Sequence, residues 1–116
     1  MVEVRRIREI LEREGSRFET RIFSADEIAY CRSLKDPFPS FAARFAAKEA
    51  YSKALGIGIL TSGPPHQIEV IRDDRGAPHL RLSGVPLEHL QKLGAQKTLI
   101  SLAHEGEYAI ASVILI

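Results

Sequence analysis

The stretch Arg44-Phe-Ala-Ala-Lys-Glu-Ala-Tyr-Ser-Lys-Ala-Leu-Gly-Ile-Gly58 decides how this chain is read. Ser40 is placed to cap a helix that runs to about Leu55, and Gly56-Ile-Gly58 stops it. At about 100° per residue, Ala42, Phe45, Ala46, Glu49 and Lys53 share one face, while Arg44, Lys48 and Tyr51 lie on another. The small and aromatic residues mark the first face for burial, and that face carries an acid and a base. A buried carboxylate is costly unless a cation or hydrogen bonds compensate it. Two readings follow. In one, Glu49 and Lys53 form an i, i+4 pair on a partly solvated face, worth about 0.2–0.5 kcal/mol. In the other, Glu49 binds a metal and Lys53 a phosphate. One carboxylate is too few to define a site, so spacing alone does not choose.

Towards the N-terminus, the prolines of Lys35-Asp-Pro-Phe-Pro39 enforce a loop. Ser24-Ala-Asp-Glu27 is a capping box and predicts a helix starting near Ala25. Val4, Ile7, Leu11 and Phe18 fall at helical spacing among charged residues. They predict an amphipathic helix over roughly 3–14, interrupted at Gly15-Ser16.

Towards the C-terminus, Thr61 to Pro65 reads as a loop and Ile68, Val70 and Arg72 begin a strand. Asp73 to Pro78 is turn chemistry, and His79 to Leu82 returns as the partner strand. Pro86 to Leu93 reads as a short helix stopped by Gly94. Thr98 to His104 and Tyr108 to Ile116 form the last two strands around a turn at Glu105-Gly-Glu107. The run Ala111-Ser-Val-Ile-Leu-Ile116 reads as buried on both faces. The order α-α-α-β-β-α-β-β predicts an α+β domain with an antiparallel sheet.

The 116 residues make one domain, spanning 1–116. Hydrophobic content of 45% and charged content of 27% describe an ordinary soluble globular chain. A net charge of +1 gives no global field for nucleic acid. Cys31 stands alone, so no intrachain disulfide forms, which fits a reducing compartment. No long apolar run suggests a membrane span or a signal peptide, and the expected location is cytoplasmic. The first 21 residues hold six arginines and no lysine, interleaved with five glutamates.

The stretch from Arg44 to Gly58 resembles the central signature of the small bacterial type of 4′-phosphopantetheinyl transferase, the holo-[acyl-carrier-protein] synthase family. Ser101-Leu-Ala-His-Glu-Gly-Glu-Tyr-Ala-Ile-Ala111 is similar to the family's last hairpin. Asp74 to Pro78 resembles its middle turn, Val2 to Ile7 the start of its first helix, and Phe23 to Glu27 the entry to the second.

The resemblance implies transfer of phosphopantetheine from coenzyme A to a serine of acyl carrier protein, with magnesium as cofactor. It makes Glu49 the metal ligand and candidate base, and Lys53 the cation that neutralises the same phosphates. Arg44 and Lys48 would bind the nucleotide end, Gly56 and Gly58 would give it close access, and His104 would hold its 3′-phosphate. Ala103 stands where the family usually has Ser or Thr. The family's second metal ligand is an aspartate one position before the residue matching Met1. The expectation is therefore an upstream start, a lost first strand, and weak magnesium binding and low activity for the 116-residue form. Glu3, the nearest acid, is expected to point elsewhere.

Arg6, Arg13 and Arg17 are spaced by seven and four, and Arg21 follows. They form a stripe if the helix continues through Gly15. The resemblance makes this the docking surface for acidic acyl carrier protein. The bland alternative is a solvated face paired with Glu9, Glu12 and Glu14. The resemblance further implies a homotrimer with coenzyme A between neighbours. Two other readings remain at this level: a non-catalytic relative that holds coenzyme A or carrier protein, and a small RNA-binding domain using the arginine helix. Balanced charge and the absence of an aromatic platform count against the second.

Overall fold

The computed structural model describes residues 1–59 and 61–116. Its elements run β1 (Val2–Glu3), α1 (Val4–Glu14), α2 (Ser16–Ile22), α3 (Ala25–Arg32), α4 (Phe38–Ala54), a 3-10 turn (Pro65–Gln67), β2 (Ile68–Arg72), β3 (Pro78–Leu82), α5 (Gly84–Leu93), β4 (Thr98–Glu105) and β5 (Tyr108–Leu115). Strands β1, β5 and β4 form one antiparallel sheet in that order, and β2 and β3 pair as a second. This is the expected α+β architecture.

Helix α4 joins two cores. On one side, Phe41, Ala42 and Ala46 pack with Ile7 and Leu11 of α1, Phe23 from the link between α2 and α3, Cys31 of α3 and Ala109 of β5. On the other, Tyr51 packs with Ile68 of β2 and Leu90 of α5. Burial pushes the Tyr51 phenol up to about 12, and its hydroxyl donates to the Pro86 carbonyl at 2.7 Å. Burial also raises the Cys31 thiol. That makes it an inert packing group rather than a nucleophile.

Several expectations are corrected. The first helix ends at Glu14 as expected, where Gly15 adopts φ 61° and ψ −140°, but the chain after it forms a further helix, α2, that was not expected. Helix α4 starts at Phe38, so Ser40 lies inside its first turn and is not the cap. Pro39 fits that turn because the N–H it lacks would have no helical acceptor. The capping box of α3 forms as read: Glu27 N–H donates to Ser24 Oγ at 3.2 Å, and Ser24 N–H to Glu27 Oε1 at 3.0 Å.

The first strand is present as two residues, Val2 opposite Ala109 and Glu3 opposite Tyr108. The last strand is not buried on both faces. Ala111, Val113 and Leu115 are half-buried, while Ile114 and Ile116 are 58% and 57% exposed. Ile114 sits directly opposite Leu99, itself exposed, so the open sheet face carries an apolar cross-strand pair.

Candidate active site

Helix α4 is buried on more than the side its small residues suggested: Ala42 and Ala46 are enclosed as expected, and so is a second face. This second face runs through Phe41, Arg44, Lys48, Tyr51 and Ser52. Lys48, Tyr51 and Ser52 each have a polar partner there. Lys48 Nζ donates to Glu27 Oε1 at 2.8 Å and to the Ile68 carbonyl at 2.6 Å, with both charged side chains excluded from solvent. Burial pushes the Lys48 ammonium below its ordinary value, against the pull of Glu27. Lys48 is thus committed to the interior, and the expectation that it binds the nucleotide is corrected.

Glu49, one residue on, is half-buried and lines a cavity of about 410 Å³. Ile7, Ile10, Phe18 and Phe45 form its apolar wall, and Glu3, Arg6 and Glu49 its polar one. Glu3 therefore does not point elsewhere; it shares this cavity with Glu49. Lys53 is exposed on the last turn of α4 and is not among the described residues that line it.

Two smaller clefts meet at His104 on the end of β4. One, about 300 Å³, is lined by Tyr30, Arg44, Arg72 and His104 among others. The second, about 220 Å³, adds Arg5 and Arg8. Asp36, Pro39 and His104 belong to both. Arg44 is 3% exposed. Its Nη1 donates to Ser40 Oγ at 2.6 Å, while its buried Nε lacks a partner among the described residues. The guanidinium groups of Arg44 and Arg72 both lie over the Tyr30 ring, at 4.7 and 5.3 Å from its centroid. The structure thus gathers Arg44 and His104 on one groove and leaves Glu49 on another. Tyr30 and Arg72 had no local signal: one sits mid-helix and the other at a strand end.

Gly56 takes φ 82°, which explains its identity by backbone conformation. A Cβ at Gly56 or Gly58 would meet open space within the chain. The arginine stripe is split by Gly15. Arg6 and Arg13 lie on α1 and Arg17 and Arg21 on α2, all four exposed. Of the bland pairing, Arg13 meets Glu14 at 3.3 Å, and Glu9 meets Arg5 rather than a stripe residue.

The donor set at Glu49 is hard oxygen. Among the described residues no group of three or more His, Cys, Asp or Glu side chains gathers as a metal cluster. One or two carboxylates, with water and substrate phosphates completing the shell, is how magnesium is commonly held. Glu49, with Glu3 lining the same cavity, fits that pattern. Among the described residues no helix is long and apolar enough to cross a membrane.

Comparison with known proteins gives the family. The chain is 41% identical over 116 residues to the holo-[acyl-carrier-protein] synthase of Ruminiclostridium cellulolyticum, covering 99% of this chain and 87% of that protein. It is 43% identical over 115 residues to that of Koribacter versatilis, covering 99% and 92%. Among solved structures, the Helicobacter pylori synthase in complex with coenzyme A superposes with a TM-score of 0.86 at 32% identity, covering 99% of this chain and 95% of that one. The Bacillus anthracis synthase, in complex with coenzyme A (3′,5′-ADP), gives 0.80 at 36%, covering 98% and 89%. The family description "4'-phosphopantetheinyl transferase superfamily" matches residues 1–113. The chain belongs to the 4′-phosphopantetheinyl transferase superfamily.

Proposed function

We propose that this chain transfers 4′-phosphopantetheine from coenzyme A to a serine of apo acyl carrier protein, releasing adenosine 3′,5′-bisphosphate. The observation that carries the site assignment is Glu49, a carboxylate in the middle of α4 that faces a cavity bordered by α1, the arginine-bearing helix. An acid beside a cationic surface is what an acidic acceptor protein and a diphosphate donor together require.

Glu49, with Glu3 lining the same cavity, is the residue that would hold magnesium. Bound there, the ion would neutralise the diphosphate and the charge that grows on the leaving oxygen. The serine oxygen attacks the β-phosphorus, and the bond from that phosphorus to the bisphosphate breaks. Glu49 accepts the serine proton, directly or through a water. Lys53, free on the surface one turn later, adds positive charge that counts most as the leaving group departs. The nucleotide end takes the groove at His104, where Arg72 and the neighbouring arginines on its walls suit phosphate oxygens. Gly56 and Gly58 leave the chain open to the ligand beyond α4.

Glu49 and His104 line separate clefts of one chain, so a single coenzyme A bound at both fits a site shared between copies. The exposed Leu99–Ile114 pair gives the open sheet face an apolar patch for that assembly, read as a homotrimer. Arg6, Arg13, Arg17 and Arg21 form the carrier-protein surface, and the reaction is cytoplasmic.

The test is mass spectrometry of apo carrier protein incubated with coenzyme A, magnesium and enzyme. Turnover adds one phosphopantetheine. Glu49→Gln is expected to lower the rate at saturating magnesium at least ~100-fold, the range of general-base loss alone. A variant with more than half of normal activity removes Glu49 from the mechanism.

A further inference from the structure

Lys48 and Glu27 are charged, fully enclosed and unused by the transfer chemistry. Well-packed apolar side chains commonly match or exceed the stability that such a buried pair gives. Its geometry suggests what else it does. Glu27 Oε1 accepts from Ser24 N–H at 3.0 Å and from Lys48 Nζ at 2.8 Å, and Oε2 accepts from Val70 N–H at 3.0 Å. Lys48 also donates to the Ile68 carbonyl at 2.6 Å. One pair thus ties the start of α3, the middle of α4 and two positions of β2. Directional bonds on both partners fix the rotation of α4 about its axis.

The same turn is anchored further on. Ser52 Oγ donates to the Lys48 carbonyl at 3.0 Å, and the buried hydroxyls of Ser52 and Ser62 lie 2.7 Å apart. Ile57 N–H donates to the Ser52 carbonyl at 3.1 Å, holding the segment that begins at Gly56.

Glu49 follows Lys48 by one residue, about 100° around the helix. A rotation of about 10° would move a side-chain tip on a helix of about 5–6 Å outer radius by about 1 Å. A displacement of that size can cost a reaction about 100-fold. We propose that Lys48, held by Glu27, is a positioning residue of the transfer reaction: it sets the rotation of α4 that aims Glu49 into its cavity, and it does not touch coenzyme A. This rests on the reading of Glu49 as the acid that holds the metal.

The test uses the double variant Glu27→Gln/Lys48→Met, which removes both charges together and strands neither. Magnesium binding in the presence of coenzyme A is measured by calorimetry, and initial rates give kcat and KM. Both are taken at a temperature where circular dichroism shows variant and wild type fully folded. The expected result is kcat at least tenfold lower and magnesium binding at least fivefold weaker, with the KM for carrier protein within twofold. A folded variant with magnesium affinity and kcat both within twofold of wild type overturns the proposal. Glu27→Leu/Lys48→Met, which puts apolar side chains at both buried positions and strands no charge, carries the same prediction if the first double variant does not fold. Glu49→Gln, run in parallel, separates the two readings. Unchanged magnesium affinity in Glu49→Gln overturns the role of Glu49 itself. Loss there with none in the double variant overturns the positioning role alone.

Discussion

Replacing Glu27 with alanine removes three hydrogen bonds at once and leaves the Lys48 ammonium enclosed with the Ile68 carbonyl as its remaining partner. Removing one partner of a buried pair costs about 3–5 kcal/mol, because the other charge stays out of water. Loss of the capping interaction of α3 overlaps with this and adds about 0.5–1 kcal/mol. The expected destabilisation is therefore about 4 kcal/mol, a large share of the roughly 5–15 kcal/mol that holds a domain folded. At about 4 °C per kcal/mol for a chain of this size, Tm should fall by about 16 °C. Urea unfolding followed by circular dichroism measures the loss, with an unchanged m-value showing that the native state stays as compact. Adding Lys48→Met to Glu27→Ala should recover part of the loss, since the stranded charge goes. A loss below about 1.5 kcal/mol, or no recovery in the double variant, would mean that the pair is not desolvated as described.

Arg13→Glu places a negative charge on the exposed side of α1, so the KM for carrier protein should rise severalfold while that for coenzyme A stays unchanged. Steady-state kinetics with each substrate varied decides this, and an unchanged carrier KM removes Arg13 from the interface. Ile114 is exposed in the single chain, so Ile114→Asp should leave the fold intact yet lower the assembled mass seen by sedimentation. Burial acts to raise the Glu69 carboxyl, but hydrogen bonds from Ser24 and Arg81 overcome it and hold the group below its ordinary value. A depressed acid stabilises the fold above its unfolded pKa of about 4.3, and that stability goes as pH falls through the folded value. Glu69→Gln should therefore lose stability at pH 7, and its gap from wild type should narrow below about pH 4.5 in acid unfolding curves.

The sequence by itself determined most of the element order, since periodicity, the Ser24–Glu27 capping box and the glycine and proline stops are local signals. Resemblance to a known family singled out Glu49. What it could not resolve was that a second, charged side of α4 is buried as well. Lys48 and Arg44 are charged, and local pattern assigns charge to solvent; their partners Glu27 and Tyr30 lie 21 and 14 residues away. Likewise Glu3 faces the Glu49 cavity only because β1 pairs with β5, which brings the chain's beginning beside its end. Burial of a charge depends on compensation from distant residues, so tertiary structure decided it.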